Sequence, residues 1–157
     1  MNAEESLNLN TELPDTEFQF KQFGEKSETF VIGLHGWTGD EHSLIPVSMG
    51  VMLRNSLWIF PRAPFNARQI QKGYSWFDRK PKSKMEVLET VHIIIKIVDS
   101  IQDSMGKNVR IFLLGFSQGA TLSTAAGLLI GNKINGIVAI AGFLSRKNIE
   151  MLNIESI

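Results

Sequence analysis

A chain of 157 residues fits one domain and can bury a core of its own, on the usual scale of about 100–200 residues per domain. Sixteen Lys and Arg balance sixteen Asp and Glu, so no overall field favours nucleic acid or an anionic membrane surface. The absence of cysteine excludes a disulfide scaffold, a thiolate zinc site and a cysteine nucleophile.

In chain order, Met1 to Phe20 carries four Glu, one Asp and a single Pro14, without the basic start or apolar centre of a signal peptide. No export is expected. No apolar run reaches the ~18 residues needed to span a bilayer, so a soluble, cytoplasmic protein without stable membrane insertion is expected. No repeat at periods of about 20–50 residues and no low-complexity tract interrupts the chain. Residues 1–16 are polar and read as a flexible terminus with a turn at Pro14-Asp15, leaving 17–157 as the folded domain.

Residues 17–23 alternate apolar and polar, the pattern of a strand with one wet face, and Gly24 to Ser27 reads as a turn. Residues 29–34, Thr-Phe-Val-Ile-Gly-Leu, form a nearly continuous apolar run, as in a strand covered on both faces. The loop that follows, His35-Gly36-Trp37-Thr38-Gly39-Asp40-Glu41, can bring a backbone N–H close to a ligand, and that of Trp37 is the candidate. His35 reads mainly as a brace for this loop, and Trp37 could equally serve packing alone.

A short helix fits between residues 42 and 54 with Pro46 in its first turn, and residues 56–60 form the next strand. From Pro61 to about residue 82 runs a long loop carrying Tyr74-Ser75-Trp76-Phe77-Asp78. Loops longer than about 12–15 residues are usually functional or disordered. Trp76 and Phe77 therefore either shape an apolar pocket, with His35 near it, or cover the core from outside. The basic cluster Arg79 to Lys84 reads as a solvated loop, since nothing aromatic is interleaved in it. Ser83 and Glu86 fit a capping box for a helix whose stripe is Leu88, Val91, Ile94, Ile95, Val98, Ile101 and Met105, ended by Gly106. His92 falls beside that stripe as a boundary residue.

Residues 109–129 read as strand, sharp turn and helix around Gly115-Phe116-Ser117-Gln118-Gly119. A serine hydroxyl that stands clear above a sheet needs a strained turn, and side chains at the flanking positions would collide there, which Gly115 and Gly119 avoid. The helix beyond Ser117 turns its positive end and unpaired N–H groups toward the hydroxyl, a setting suited to a transition-state oxyanion. Small residues, Ala120, Ser123, Ala125, Ala126 and Gly127, let that helix approach the sheet before Gly131-Asn132 ends it, and residues 134–143 hold another buried strand. Strands alternating with helices, three of them almost wholly apolar, imply an α/β fold with a mainly parallel sheet. The turn lacks both G-x-G-x-x-G and a G-K-[ST] ending, which argues against a nucleotide site.

Taken in order, residues 34–41, Pro61-Arg62-Ala63-Pro64, residues 73–78, Gly115 to Gly119 and Ala141-Gly142-Phe143 resemble the phospholipase/carboxylesterase family of α/β-hydrolases, which includes the acyl-protein thioesterases. The resemblance spans about residues 28–143. It implies a three-layer α/β-hydrolase fold, Ser117 as nucleophile, and an oxyanion hole from the Trp37 and Gln118 N–H groups. Trp76, Phe77 and Asp78 match a loop near the acyl-binding cleft. The implied reaction is hydrolysis of a small ester, lysolipid or acylated substrate through an acyl-enzyme, without metal or cofactor.

One departure stands out. In this fold the acid and the histidine follow the serine, yet no His or Asp lies beyond Ser117, and the later acids are Glu150 and Glu155. His35, His42 and His92 all precede it. The expectation is a chain lacking the C-terminal strands, weakly active or inactive, whose strand at 134–140 lies at the sheet edge and favours self-association. A non-catalytic binding or interaction module on the same scaffold is the alternative.

Overall fold

Strands that are apolar at nearly every position belong in the middle of a sheet, and three such strands set the order of this one. The computed structural model describes residues 7–67, 72–78 and 84–143, the side chains of 84–86 excepted. Strand β1 (Phe18–Phe23) runs antiparallel to β3 (Ser56–Pro61), with Phe18 opposite Pro61 and Phe23 opposite Ser56. Strand β2 (Thr29–Leu34) lies parallel between β3 and β6 (Arg110–Phe116), pairing Thr29 with Ser56 and Arg110, and Leu34 with Gly115. Strand β7 (Gly136–Ile140) pairs in parallel with the other side of β6, giving the spatial order β1-β3-β2-β6-β7.

Period-two alternation divides the apolar residues between the two faces. Phe30, Ile32, Leu34, Leu57, Ile59, Ile111 and Leu113 share one core with helices α3 (Lys84–Met105) and α4 (Gln118–Ile130). Val31, Trp58, Phe60 and Leu114 form a smaller core on the opposite face, against Leu44 and helix α2 (Ile45–Val51), where Pro46 occupies the first turn as expected. Gly106 ends α3 in a left-handed conformation and donates its N–H to the Gln102 carbonyl at 2.9 Å. The α3 stripe is centred slightly differently from the expectation: Ile97 is fully buried, and Ile95 is only half-buried.

Two expected loops have structure. Within the terminus expected to be loose, helix α1 (Leu9–Glu12) forms, and Leu7, Leu9 and Leu13 join the α3 side of the core. Leucines on one side of a single helical turn supply enough apolar surface to dock a polar segment. The turn at Pro14-Asp15 is present. In the long loop after β3, β4 (Phe65–Asn66) and β5 (Tyr74–Ser75) make a small antiparallel pair. Ser83 of the capping box, residues 79–83 of the basic cluster and the tail with Glu150 and Glu155 lie outside the described residues.

Among the described residues nothing pairs with the outer side of β7. Ile137, Val138 and Ile140 are 38–48 % exposed there, beside Phe116 at 46 % and Phe143 at 76 %. An apolar edge strand of this kind templates association. Sedimentation velocity should show concentration-dependent association of the chain, which Val138→Lys with Ile140→Lys shifts to monomer. A wild-type chain that stays monodisperse and monomeric at every loading contradicts this.

Candidate functional site

Strand β6 runs into Ser117, whose backbone has φ 51° and ψ −113°, a conformation an L-residue adopts only under constraint. The constraint is the tight crossing of β6, α4 and β2. A Cβ on Gly115 would lie 2.2 Å from the Gly119 carbonyl oxygen, and one on Gly119 would lie 2.0 Å from the Leu34 oxygen and 2.6 Å from that of His35. Both glycines are thus required by backbone proximity. Ala120 and Thr121 donate their N–H groups to the Ser117 carbonyl at 3.0 and 3.1 Å, and the Gln118 and Gly119 N–H groups precede these first helical bonds. The Ser117 N–H itself donates to the Ile140 carbonyl at 2.8 Å, which ties the turn to β7.

The loop after β2 lies directly against this turn. A Cβ on Gly36 would be 3.1 Å from the Phe116 ring and 3.5 Å from the Ser117 Cβ, and Trp37 is the next residue of the loop. His35, 1 % exposed, braces the loop with both ring nitrogens. Its Nδ1–H donates to the Gly36 carbonyl at 2.7 Å, and its Nε2 accepts the Ala63 N–H at 3.1 Å. Burial lowers its pKa below the ordinary value, against the opposing pull of the Gly36 carbonyl, Asp40 and Glu41.

Trp76 is fully buried and Phe77 nearly so, both in the α3-side core. The Trp76 indole N–H donates to the His35 carbonyl at 2.8 Å, and its ring lies 5.1 Å from the imidazole. The structure therefore places the Trp76 ring against His35 of the loop and buries the Phe77 side chain in the same core. The Gln118 side chain grips the same segment: its Oε1 accepts the Trp76 N–H at 3.0 Å, and its Nε2 donates to the Phe77 carbonyl at 2.6 Å and to Ser75 Oγ at 3.1 Å. Sequence reasoning used only the backbone of Gln118, because a partner some 40 residues away leaves no local pattern.

A second feature absent from the sequence reading is the pair formed by Glu41 and Arg62. The Arg62 guanidinium forks onto the 2 %-exposed Glu41 carboxylate, with Nε donating at 2.6 Å and Nη2 at 2.5 Å. It also pairs with Glu17 and lies 4.6 Å above the centre of the Tyr74 ring. The Arg62 fork is the main cause that holds the Glu41 pKa below the ordinary carboxylate value. Glu41 and Arg62 each follow an apolar strand, and nothing local in the sequence joins them.

The structure thus brings His35, Gly36, Ser117, Gln118 and Trp76 together. No hydrogen bond joins His35, His42 or His92 to Ser117. His42 is 57 % exposed and pairs with Glu41, and His92 is exposed on α3. Among the described residues, no group of three or more His, Asp and Glu could hold a metal ion, and no helix is long and apolar enough to cross a membrane.

Comparison with known proteins adds a family. Residues 17–153 match the phospholipase/carboxylesterase family. The chain is 32% identical over 141 residues to acyl-protein thioesterase 1 of Candida albicans, covering 80% of this chain and 61% of that protein. It is 30% identical over 133 residues to the carboxylesterase SOBER1 of Arabidopsis thaliana, covering 75% and 58% respectively. The crystal structure of Arabidopsis SOBER1 matches with a TM-score of 0.64 at 27% identity, over 79% of this chain and 67% of that one. Esterase PE8, at 20% identity and a TM-score of 0.68 over 83% and 66%, shares the fold. The chain spans about 58–61% of the length of the two curated relatives named. On this match, carried over most of its residues, the chain belongs to the phospholipase/carboxylesterase family of α/β-hydrolases.

Proposed function

We propose that the chain carries the nucleophile and the oxyanion hole of a serine hydrolase acting on carboxylic esters or thioesters. The observation that carries this reading is the strained backbone of Ser117 at the start of α4, with Gly36 packed against it. In this reading Ser117 Oγ bonds to the acyl carbon, and the carbonyl π pair moves to oxygen, which the Trp37 and Gln118 N–H groups stabilise. Collapse breaks the C–O or C–S bond to the leaving group, which takes up a proton, and water then attacks the acyl-enzyme by the same route. His35, Trp76 and the Gln118 side chain act as positioning residues for the loop and the turn, and Phe77 packs in the core next to Trp76 in sequence. Small esters, lysolipids or acylated proteins are the proposed substrate class, in keeping with relatives named as thioesterases and carboxylesterases.

Each step also moves a proton. His35 has both ring nitrogens engaged, and these 157 residues place neither His nor Asp after Ser117. The chain by itself is therefore expected to keep at most the ~10³–10⁴-fold effect of an oxyanion hole and binding without the base. The test is labelling by a fluorophosphonate, with hydrolysis of a short-chain nitrophenyl ester, on wild type and Ser117→Ala. Slow labelling that rises with pH and disappears in Ser117→Ala is the expected outcome; equal labelling of both proteins overturns the reading. A non-catalytic interaction module is the second reading, favoured by the apolar outer edge of β7, and it predicts association with no labelling at Ser117.

A further inference from the structure

We propose that Arg62 is a positioning residue: by gripping Glu41 it holds the loop from Gly36 to Glu41 in the strained form that keeps the Trp37 N–H beside Ser117. This rests on the oxyanion role proposed for Trp37. The strain is visible at Thr38, a β-branched residue with φ 69°. Such a backbone is unfavourable for a β-branched residue and persists only where its surroundings over-determine it.

Those surroundings form a clamp with two jaws. On one side, the Thr38 N–H donates to the Tyr74 carbonyl and the Tyr74 N–H to the Gly39 carbonyl, each at 2.9 Å. Gly73 presses so close that a Cβ there would lie 1.9 Å from the Thr38 oxygen. On the other side the Glu41 carboxylate is held by the Arg62 fork. Arg62 spans both jaws, since its guanidinium also covers the Tyr74 ring. It is itself fixed to the sheet: it follows β3 directly, its N–H donates to the Glu17 carbonyl at 2.8 Å, and its side chain pairs with Glu17. The sheet, through one arginine, thus sets the path of the loop next to Ser117. A partly buried, forked ion pair of this kind fixes one arrangement of the loop more than it adds stability, which suits a positioning role.

The experiment compares wild type, Arg62→Met, Arg62→Lys, Thr38→Gly and Arg62→Met with Thr38→Gly, reading the rate of fluorophosphonate labelling at Ser117 per folded molecule. Loss of one oxyanion donor costs about 10²–10³ in rate, so Arg62→Met is expected to slow labelling about 10–100-fold. Arg62→Lys, which keeps the charge without the fork, is expected to fall between the two. Thr38→Gly removes the strain and is expected to recover most of the rate in the Arg62→Met background. A purely structural arginine would lower the melting temperature, leave the rate per folded molecule unchanged and show no such recovery; that result overturns the proposal. Amide exchange at Thr38 gives a reading independent of Ser117 chemistry. Faster exchange in Arg62→Met, or in Arg62→Lys if the methionine variant does not fold, supports the proposal even where Ser117→Ala labels like wild type, and unchanged exchange overturns it.

Discussion

Gly119→Ala is expected to destabilise the fold by more than about 4 kcal/mol, at the extreme of single substitutions. The new methyl would meet the Leu34 oxygen at 2.0 Å and the His35 oxygen at 2.6 Å. Both are main-chain atoms at the end of β2, whose neighbours β3 and β6 hold its register on either side. No rotamer change can relieve that contact, so either β2 moves out of the sheet or α4 withdraws from it. Withdrawal of α4 would also pull Gln118 away from Trp76 and Phe77. Gly131→Ala is the matched control, because a Cβ there meets nothing within 4 Å and its backbone is already right-handed. The measurement is the urea unfolding midpoint of the three proteins. A Gly119→Ala midpoint level with wild type would show that the crossing is looser than described.

The second large effect concerns acid. His35 is buried and neutral, with Nε2 accepting from the Ala63 N–H, so protonation would set two donors against each other. Burial holds its folded pKa below the unfolded value of 6.5. Below pH 6.5 the unfolded chain therefore binds a proton that the folded chain refuses. Stability falls as pH drops from 6.5 toward the folded pKa, at up to about 1.4 kcal/mol per pH unit for one proton. Glu41 adds a separate loss at lower pH. Its pKa is held below 4.5 by the Arg62 fork, so the stability it contributes is present above 4.5 and disappears as pH falls through the folded value. Urea unfolding between neutral pH and pH 5 isolates the histidine. His35→Gln keeps a donor and an acceptor but cannot titrate, and its stability should be flat over that interval. An equal decline in both proteins would mean that another group carries the acid response.

Much of the framework was legible because it rests on continuous patterns. The apolar runs at 29–34 and 110–116 are strands in the centre of the sheet, and Gly106 ends its helix where the stripe stops. The short pattern around Ser117 located its own strand and helix. What escaped was tertiary. Leu7, Leu9 and Leu13 sit in a polar segment too short to show a period, and only the surface of α3 makes them core. Trp76 and Phe77 admitted two readings because aromatic composition does not say which way a ring faces. Glu41 and Arg62 are 21 residues apart, and their pairing depends on β2 and β3 being neighbours. Thr38 at positive φ runs against its own preference, and such exceptions become visible only once the clamp around them is formed.

The hydrogen bond from the Ser117 N–H to the Ile140 carbonyl links a residue held at positive φ to an exposed edge strand. Edge strands open locally at a fraction of the global unfolding free energy. Fraying of β7 would cost the Ser117 backbone this one bond, while the crossing of β6, α4 and β2 continues to hold the turn. A strand paired along the outer side of β7 would guard that bond as well as the edge.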